Sequence, residues 1–200
     1  GNVCRYATAK LMMIENDIKE CVKALRKGNL ILYPTDTVWG IGCDAQNEQA
    51  VKKIYAVKKR NEQKSMIILL PDEKAITHFT DDASPTVFDF IKGVHKPVTV
   101  VYPKAKNLAK NIINADGSIA ISIVKKGFAK ELLKKFGKPI VSTSANLSGY
   151  PAPGNFNDID MAIKKAVDYI VEFSREDERI AAPSTVVKLD GTGKIIILRP

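Results

Sequence analysis

Cysteine, histidine and tryptophan are all scarce in this 200-residue chain, which has three, two and one of them. Cys4, Cys21 and Cys43 are too few and too scattered for a disulfide framework, and with His78 and His95 they match no metal-ligand spacing. Reduced thiols in a reducing, cytoplasmic setting are the plain reading. No apolar run approaches the ~18 residues that a membrane span needs, and no basic-then-apolar leader with a small-residue cleavage site opens the chain. The two common nucleotide cradles, G-x-x-x-x-G-K-[ST] and G-x-G-x-x-G, are both missing; Gly40-Ile41-Gly42 lacks the third glycine. There is no G-x-S-x-G elbow either, and neither histidine has the surroundings of a hydrolytic triad.

What is present is ordinary for a folded domain. An apolar fraction of 45% with 26% charged residues is that of a soluble globular protein, and the length suits one α/β domain with a real core. The formal charge of +9 is carried mainly by lysine. It favours anionic partners such as nucleotide phosphates or RNA, and it also fits a simple solvated lysine-rich face. Residues 1–12 precede Met13 and lack clean periodicity, so they are read as an irregular or extraneous N-terminus ahead of a domain spanning 13–200.

Apolar spacing predicts a helix over 14–27, stopped by Gly28 in the usual C′ manner. Leu30-Ile31-Leu32-Tyr33, closed by Pro34, is a short buried strand. A helix over 48–59 and a strand over 66–70 follow, then weaker helical stretches at 73–79 and 85–92. Strands are predicted at 98–102 and 119–124, a helix at 128–136, and a strand from 139 that runs into 142–146. The rest reads as a helix over 158–167, a strand over 169–173, and a terminal hairpin of 185–189 with 194–198. Helices alternate with strands and then strands follow strands, which predicts an open, twisted mixed sheet flanked by helices in a single domain.

Four polar clusters fall at the ends of these elements, where sites on an open sheet usually lie. Pro34-Thr35-Asp36-Thr37-Val38-Trp39-Gly40-Ile41-Gly42 follows a buried strand; it suits a small polar ligand, or a turn in which Asp36 bonds its own backbone. Lys58-Lys59-Arg60 with Lys64 closes a helix. These cations either offset the helix dipole or clamp a phosphate, with an Arg fork making bidentate contacts. Ser142-Thr143-Ser144-Ala145-Asn146-Leu147-Ser148-Gly149 offers five hydrogen-bonding side chains in seven residues, more than a turn needs, and suits capture of phosphate or carboxylate. The last cluster pairs Ser184, at the start of a strand, with Arg199, at the end of its hairpin partner.

Taken in order, these clusters resemble the motif set of the YrdC-like family, the threonylcarbamoyl-AMP synthases of TsaC type. The resemblance covers about 14–200 and rests on Pro34-Thr-Asp-Thr-Val-Trp-Gly, Lys58-x-Arg60, Ser144-x-Asn146, and Ser184-Thr-Val-Val with Ile197-Leu-Arg-Pro. It implies an enzyme, a nucleotidyltransferase that joins L-threonine, bicarbonate and ATP into threonylcarbamoyl-adenylate and pyrophosphate. A TsaD-type transfer complex then passes the group to N6 of an adenosine in tRNAs that read ANN codons. By that resemblance Lys58 and Arg60 are catalytic and Thr37 and Ser184 hold threonine. Arg60, Lys64, Ser144, Asn146 and Arg199 meet ATP, with Mg²⁺ bridging phosphates, and a positively charged concave face contacts tRNA.

Three positions depart from the family pattern. Its usual arginine in the strand Ala120-Ile121-x-Ile123 is Ser122 here, and two usual prolines are Asn61 and Ser65. Ser122 cannot form a fork-to-fork pair with a carboxylate, so another cation has to read that group or threonine binds more weakly. The competing expectations are a non-catalytic RNA-binding relative that keeps the basic face, and an adenylate former acting on another small acid.

Overall fold

The structure, a computed structural model, describes residues 1–59, 66–179, 182–190, 192 and 194–200. Its described strands form one nine-stranded sheet in the order β7-β1-β2-β6-β3-β5-β4-β8-β9. The pairing is mixed, as expected. β1 (Ile31–Tyr33), β2 (Gly40–Gly42), β6 (Ile140–Ser144) and β3 (Ile67–Leu70) are successively antiparallel. β3 then runs parallel to β5 (Ile119–Ile123), which is antiparallel to β4 (Val98–Tyr102). β4 is parallel to β8 (Thr185–Leu189), whose hairpin partner is β9 (Ile195–Arg199). At the other edge the two-residue β7 (Tyr169–Ile170) lies parallel to β1.

β2 is the element that sequence patterning does not show, because its three residues read as part of a ligand-binding loop. It exists through glycine. A Cβ on Gly42 would lie 2.7 Å from Tyr33 Cε1 and 3.0 Å from the Val141 carbonyl, so only a bare backbone fits between β1 and β6.

Helix α1 runs Asn2–Arg26, so residues 1–12 are largely helical rather than irregular. They are rich in good helix formers, and lengthening a helix already nucleated by packing costs little. Only the second half packs: burial begins at Asp17, while Val3 and Tyr6 are exposed. Asp17 is itself fully buried and accepts from Tyr169 Oη (2.6 Å), Glu172 N (3.0 Å) and Phe173 N (2.9 Å), pinning the segment after β7 to the helix. That capture ends β7 at Ile170, short of the strand expected to 173.

Helix α2 (Glu48–Lys58) is capped by Asn47 Oδ1, which accepts from Ala50 N at 3.1 Å. It closes with Lys59 in the left-handed region at φ 52°. α3 (Pro85–Gly93) begins with proline in its first turn. α4 (Phe128–Phe136) buries Phe128, Ala129, Leu132, Leu133 and Phe136 on one face, packs on α1, and stops at Gly137. α5 is shorter than expected, Met161–Ala166, because the 3₁₀ turn at Phe156–Asp158 is separated from it by Ile159 and the N-cap Asp160. One core cluster joins these helices to both halves of the sheet. Among the described residues no helix is long and apolar enough to cross a membrane.

Candidate active site

A cleft of about 400 Å³ opens beside β6, β3, β5 and β4, and its walls bring together Thr37, Ser144, and the hairpin pair Ser184 and Arg199 from three distant stretches of chain. Each wall has a local cause.

The first wall is the β1–β2 connection. Thr35 Oγ1 donates to the Val38 carbonyl (2.7 Å), accepts from Thr37 N (3.1 Å), and lies 3.1 Å from Thr37 Oγ1. These bonds fold the loop so that Thr37 faces the cleft. Behind it the buried Trp39 ring packs on Phe156, with centroids 4.9 Å apart. Phe156 in turn carries Lys164 Nζ at 4.2 Å and the Arg175 guanidinium at 5.1 Å. The Asp36 carboxyl is held above the usual carboxylate range, chiefly by desolvation.

The second wall is the end of β6. Lys58 sits in the last turn of α2 with its side chain buried, and its ammonium donates to Thr143 Oγ1 (2.8 Å) and the Ser144 carbonyl (2.6 Å). The Lys58 carbonyl accepts from Ser148 N at 2.9 Å, so both ends of this residue hold the loop after β6. Ser144 Oγ donates to Asn146 Oδ1. The Asn146 amide nitrogen donates to the carbonyls of Leu147 (3.1 Å) and Tyr150 (2.7 Å). Asn146 therefore shapes the loop and orients Ser144, and Lys58 places its charge beneath that loop. Arg60 and Lys64, expected to complete this cluster, lie outside the described residues, as do Asn61 and Ser65.

The third wall is the β4–β8–β9 edge. Ser184 is buried with its hydroxyl 2.7 Å from Thr99 Oγ1. Arg199 donates from Nε (3.0 Å) and Nη2 (2.8 Å) to the Ser184 carbonyl. Ser122 pairs with Thr99 across β4–β5, and its hydroxyl donates to the Val98 carbonyl at 3.2 Å.

Ser142, the first residue of the polar cluster at the end of β6, also lines the cleft. Sequence reasoning misses two polar residues in and behind this wall. Thr99, against Ser184, looks like an ordinary β-branched strand residue. Asn114, on the cleft wall, is steadied by its Nδ2 donating to Ser118 Oγ at 3.0 Å. Thr99 carries a usable signal, a hydroxyl on the buried face of a strand that has to find a partner. Asn114 carries none. Among the described residues no group of three or more His, Cys, Asp or Glu side chains is placed to hold a metal ion.

This sheet and cleft define an open α/β class seen in solved structures. The chain superposes on Pyrococcus abyssi Sua5 (the H234A/Y235A variant) with a TM-score of 0.83 at 27% identity, over 92% of this chain and 53% of that one. P. abyssi Sua5 complexed with L-threonine gives 0.80 at 25% identity, again over 92% of this chain and 53% of the other. The chain thus spans about half the length of those polypeptides. Among curated relatives, the threonylcarbamoyl-AMP synthase of Pseudoalteromonas translucida is 32% identical over 164 residues, 80% of this chain and 88% of the relative. That of Coxiella burnetii (strain RSA 493) is 33% identical over 159 residues, 78% of this chain and 84% of the relative. The sequence profile of the Sua5/YciO/YrdC family, described as telomere recombination, matches residues 23–200. The chain belongs to the Sua5/YciO/YrdC family.

Proposed function

We propose that this protein is a threonylcarbamoyl-AMP synthase, forming threonylcarbamoyl-adenylate and pyrophosphate from L-threonine, bicarbonate and ATP. The observation that carries the reading is the convergence of Thr37, Ser144, Ser184 and Arg199 on one cleft, in a chain whose relatives bear that activity.

The reaction asks for no nucleophilic side chain. The threonine amine condenses with bicarbonate to a carbamate, an amine proton and the bicarbonate hydroxyl leaving as water, and a carbamate oxygen attacks the α-phosphorus of ATP. The P–O bond to the bridging oxygen of the β-phosphate breaks, and pyrophosphate leaves with that oxygen and its electron pair. What the protein supplies is position and charge neutralisation. In this reading Ser144 and Asn146 meet the phosphates, the Ser144 hydroxyl turning from Asn146 Oδ1 to a phosphate oxygen when ATP binds, and Lys58 lends positive charge from beneath the loop. Arg60 and Lys64 complete the clamp, and Thr37 and Ser184 hold threonine. Mg²⁺ enters with ATP as part of the substrate, on phosphate oxygens.

The product, a reactive mixed anhydride, is handed to a TsaD-type complex for transfer to tRNA, and the net charge of +9 supports transient contact with tRNA itself. The non-catalytic RNA-binding alternative is not favoured, because the relatives carry the synthase name. Pyrophosphate release tests the proposal directly. It is expected only when ATP, threonine and bicarbonate are all present, and ATP turnover indifferent to threonine refutes it.

A further inference from the structure

A groove of about 860 Å³ lies between α1 and α4, and it shares no lining residue with the cleft. α1 and its C-cap Lys27 form the long wall from Glu15 onward, about 18 Å at 1.5 Å per residue. α4 forms the other wall with Glu131 and Lys135, one turn apart. The floor is the half-buried Ile18 and the buried Val22, both packed against the core. The same face of α1 continues toward the N-terminus as Leu11, which is 56% exposed. Steps of seven and four residues make 11, 18 and 22 one apolar stripe on the helix.

Five cations stand along the rim: Lys19, Lys23, Arg26 and Lys27 from the first wall and Lys135 from the second. Only two carboxylates face them, Glu15 and Glu131, and Glu131 lies 3.7 Å from Lys134. Among the described residues none of the five cations is in an ion pair. Helix dipoles account for part of this pattern, because Lys23 and Arg26 lie in the last turn of α1 and Lys135 in that of α4. They do not account for Lys19, nor for an apolar stripe left open beneath the charges. Lys19, Lys23 and Lys27 recur every four residues, so their stems stand in a row about 6 Å apart.

A third helix fits such a furrow. Its apolar residues at i, i+4 and i+7 would rest on Ile18 and Val22, and carboxylates spaced by four would face the lysine row. A nucleic-acid backbone would meet the cations and bury nothing on the apolar floor. The outer half of α1 from a second copy is mismatched in charge, since residues 2–13 carry Arg5 and Lys10 and no acid. We infer that the α1–α4 groove docks an acidic amphipathic helix of a partner protein. The inference goes beyond the activity proposed above and does not depend on it.

Fluorescence anisotropy on the full chain tests this with a labelled helical peptide of about 18 residues, leucines on one face and glutamates flanking them. The peptide is expected to bind, and to bind at least about tenfold more weakly once its leucines become serines at unchanged charge. Lys19→Gln/Lys23→Gln/Arg26→Gln should weaken the leucine peptide about tenfold, each exposed ion pair contributing roughly two- to threefold. Lys92→Gln/Lys96→Gln/Lys126→Gln removes the same charge from exposed positions outside the groove and should leave binding within about twofold. Leu11→Ser, in the unpacked half of α1, should weaken the leucine peptide about threefold and leave the serine peptide unchanged. That variant keeps the test decisive if the groove triple variant melts early. No binding of the leucine peptide, equal binding of the serine peptide, or an equal loss in both triple variants overturns the inference. So does an RNA duplex that displaces the peptide and itself weakens in the groove variant, which would make the groove a phosphate-backbone surface. A concentration-dependent dimer in light scattering that the groove variant abolishes would make the occupant a second copy, and overturns it too.

Discussion

The ammonium of Lys58, at the C-terminal end of α2, donates to Thr143 Oγ1 inside β6 at 2.8 Å, across 85 residues of sequence. A helix end and a strand end are thereby locked together at the point where the strand enters the polar loop. The charge sits under the loop, and its second bond goes to the Ser144 carbonyl at 2.6 Å.

Replacing Lys58 with methionine keeps most of the side-chain volume and removes the charge. Thr143 Oγ1 and the Ser144 carbonyl then lose a charged donor, and stability is expected to drop by about 2 kcal/mol. Pyrophosphate release should fall by about 10²-fold, the usual cost of losing a preorganised donor in a phosphoryl-type site. A thermal melt and a steady-state assay check both numbers. An unchanged rate would mean that the loop holds its geometry without the lysine.

Gly42 and Gly93 make a paired experiment. A methyl group at Gly42 runs into the fully buried Tyr33 ring at 2.7 Å. Gly42→Ala is therefore expected to cost about 1–3 kcal/mol through overpacking. Gly93 ends α3, and a methyl group there would meet nothing within 4 Å. Gly93→Ala is expected to be neutral or to stabilise by up to about 1 kcal/mol. Equal melting temperatures for the two variants would contradict the close approach of β1 and β2.

Asp17 tests stability apart from chemistry. Asp17→Ala strips the acceptors from Glu172 N, Phe173 N and Tyr169 Oη. The loss is expected to be about 3 kcal/mol, or roughly 6–12 °C in Tm for a domain of this size. The KM values for threonine and ATP should stay as in the wild type, since none of these groups lines the cleft. A changed KM would show that the β7 edge is coupled to the site.

The three thiols should separate by accessibility. Cys4 is exposed, while Cys21 and Cys43 are buried. Burial pushes both buried thiols far above their ordinary value of 9.0, with Asp17 adding to the rise at Cys21 and Asp44 at Cys43. Iodoacetamide followed by mass spectrometry should therefore label Cys4 alone in the folded protein, and all three once it is unfolded. The same shift sets a pH dependence. The folded state keeps protons that the unfolded chain begins to lose near pH 9.0, so these two thiols make stability decline as pH rises above that value. Denaturant titrations between pH 8 and pH 10 measure the slope, and a rising stability over that span would contradict the burial.

Several parts of this architecture are readable from contiguous residues. The period of Phe128–Phe136 and the glycine after it give α4 its limits, and Val98–Tyr102 between two prolines gives β4. Other parts are not. The strand at Gly40–Gly42 has no strand-like composition and depends on the partners on either side of it. The helix before Met13 has adequate propensity but no packed face to produce a periodic pattern.

By itself the amino-acid sequence determined the class of fold, the single domain and the motif order, since periodicity, caps and turn residues act within one turn or one strand. It also marked Thr37, Ser144, Ser184 and Arg199 as polar groups at element ends. Only the tertiary structure decided their company. Thr99 meets Ser184 behind the cleft wall because β8 pairs parallel with β4, which brings the two hydroxyls together across 85 residues. Ser122 lost its hydroxyl to the Val98 carbonyl because β5 pairs with β4 in the register that sets it opposite Thr99. Strand register is a cooperative result of burying a whole face, so no local stretch of the chain encodes it.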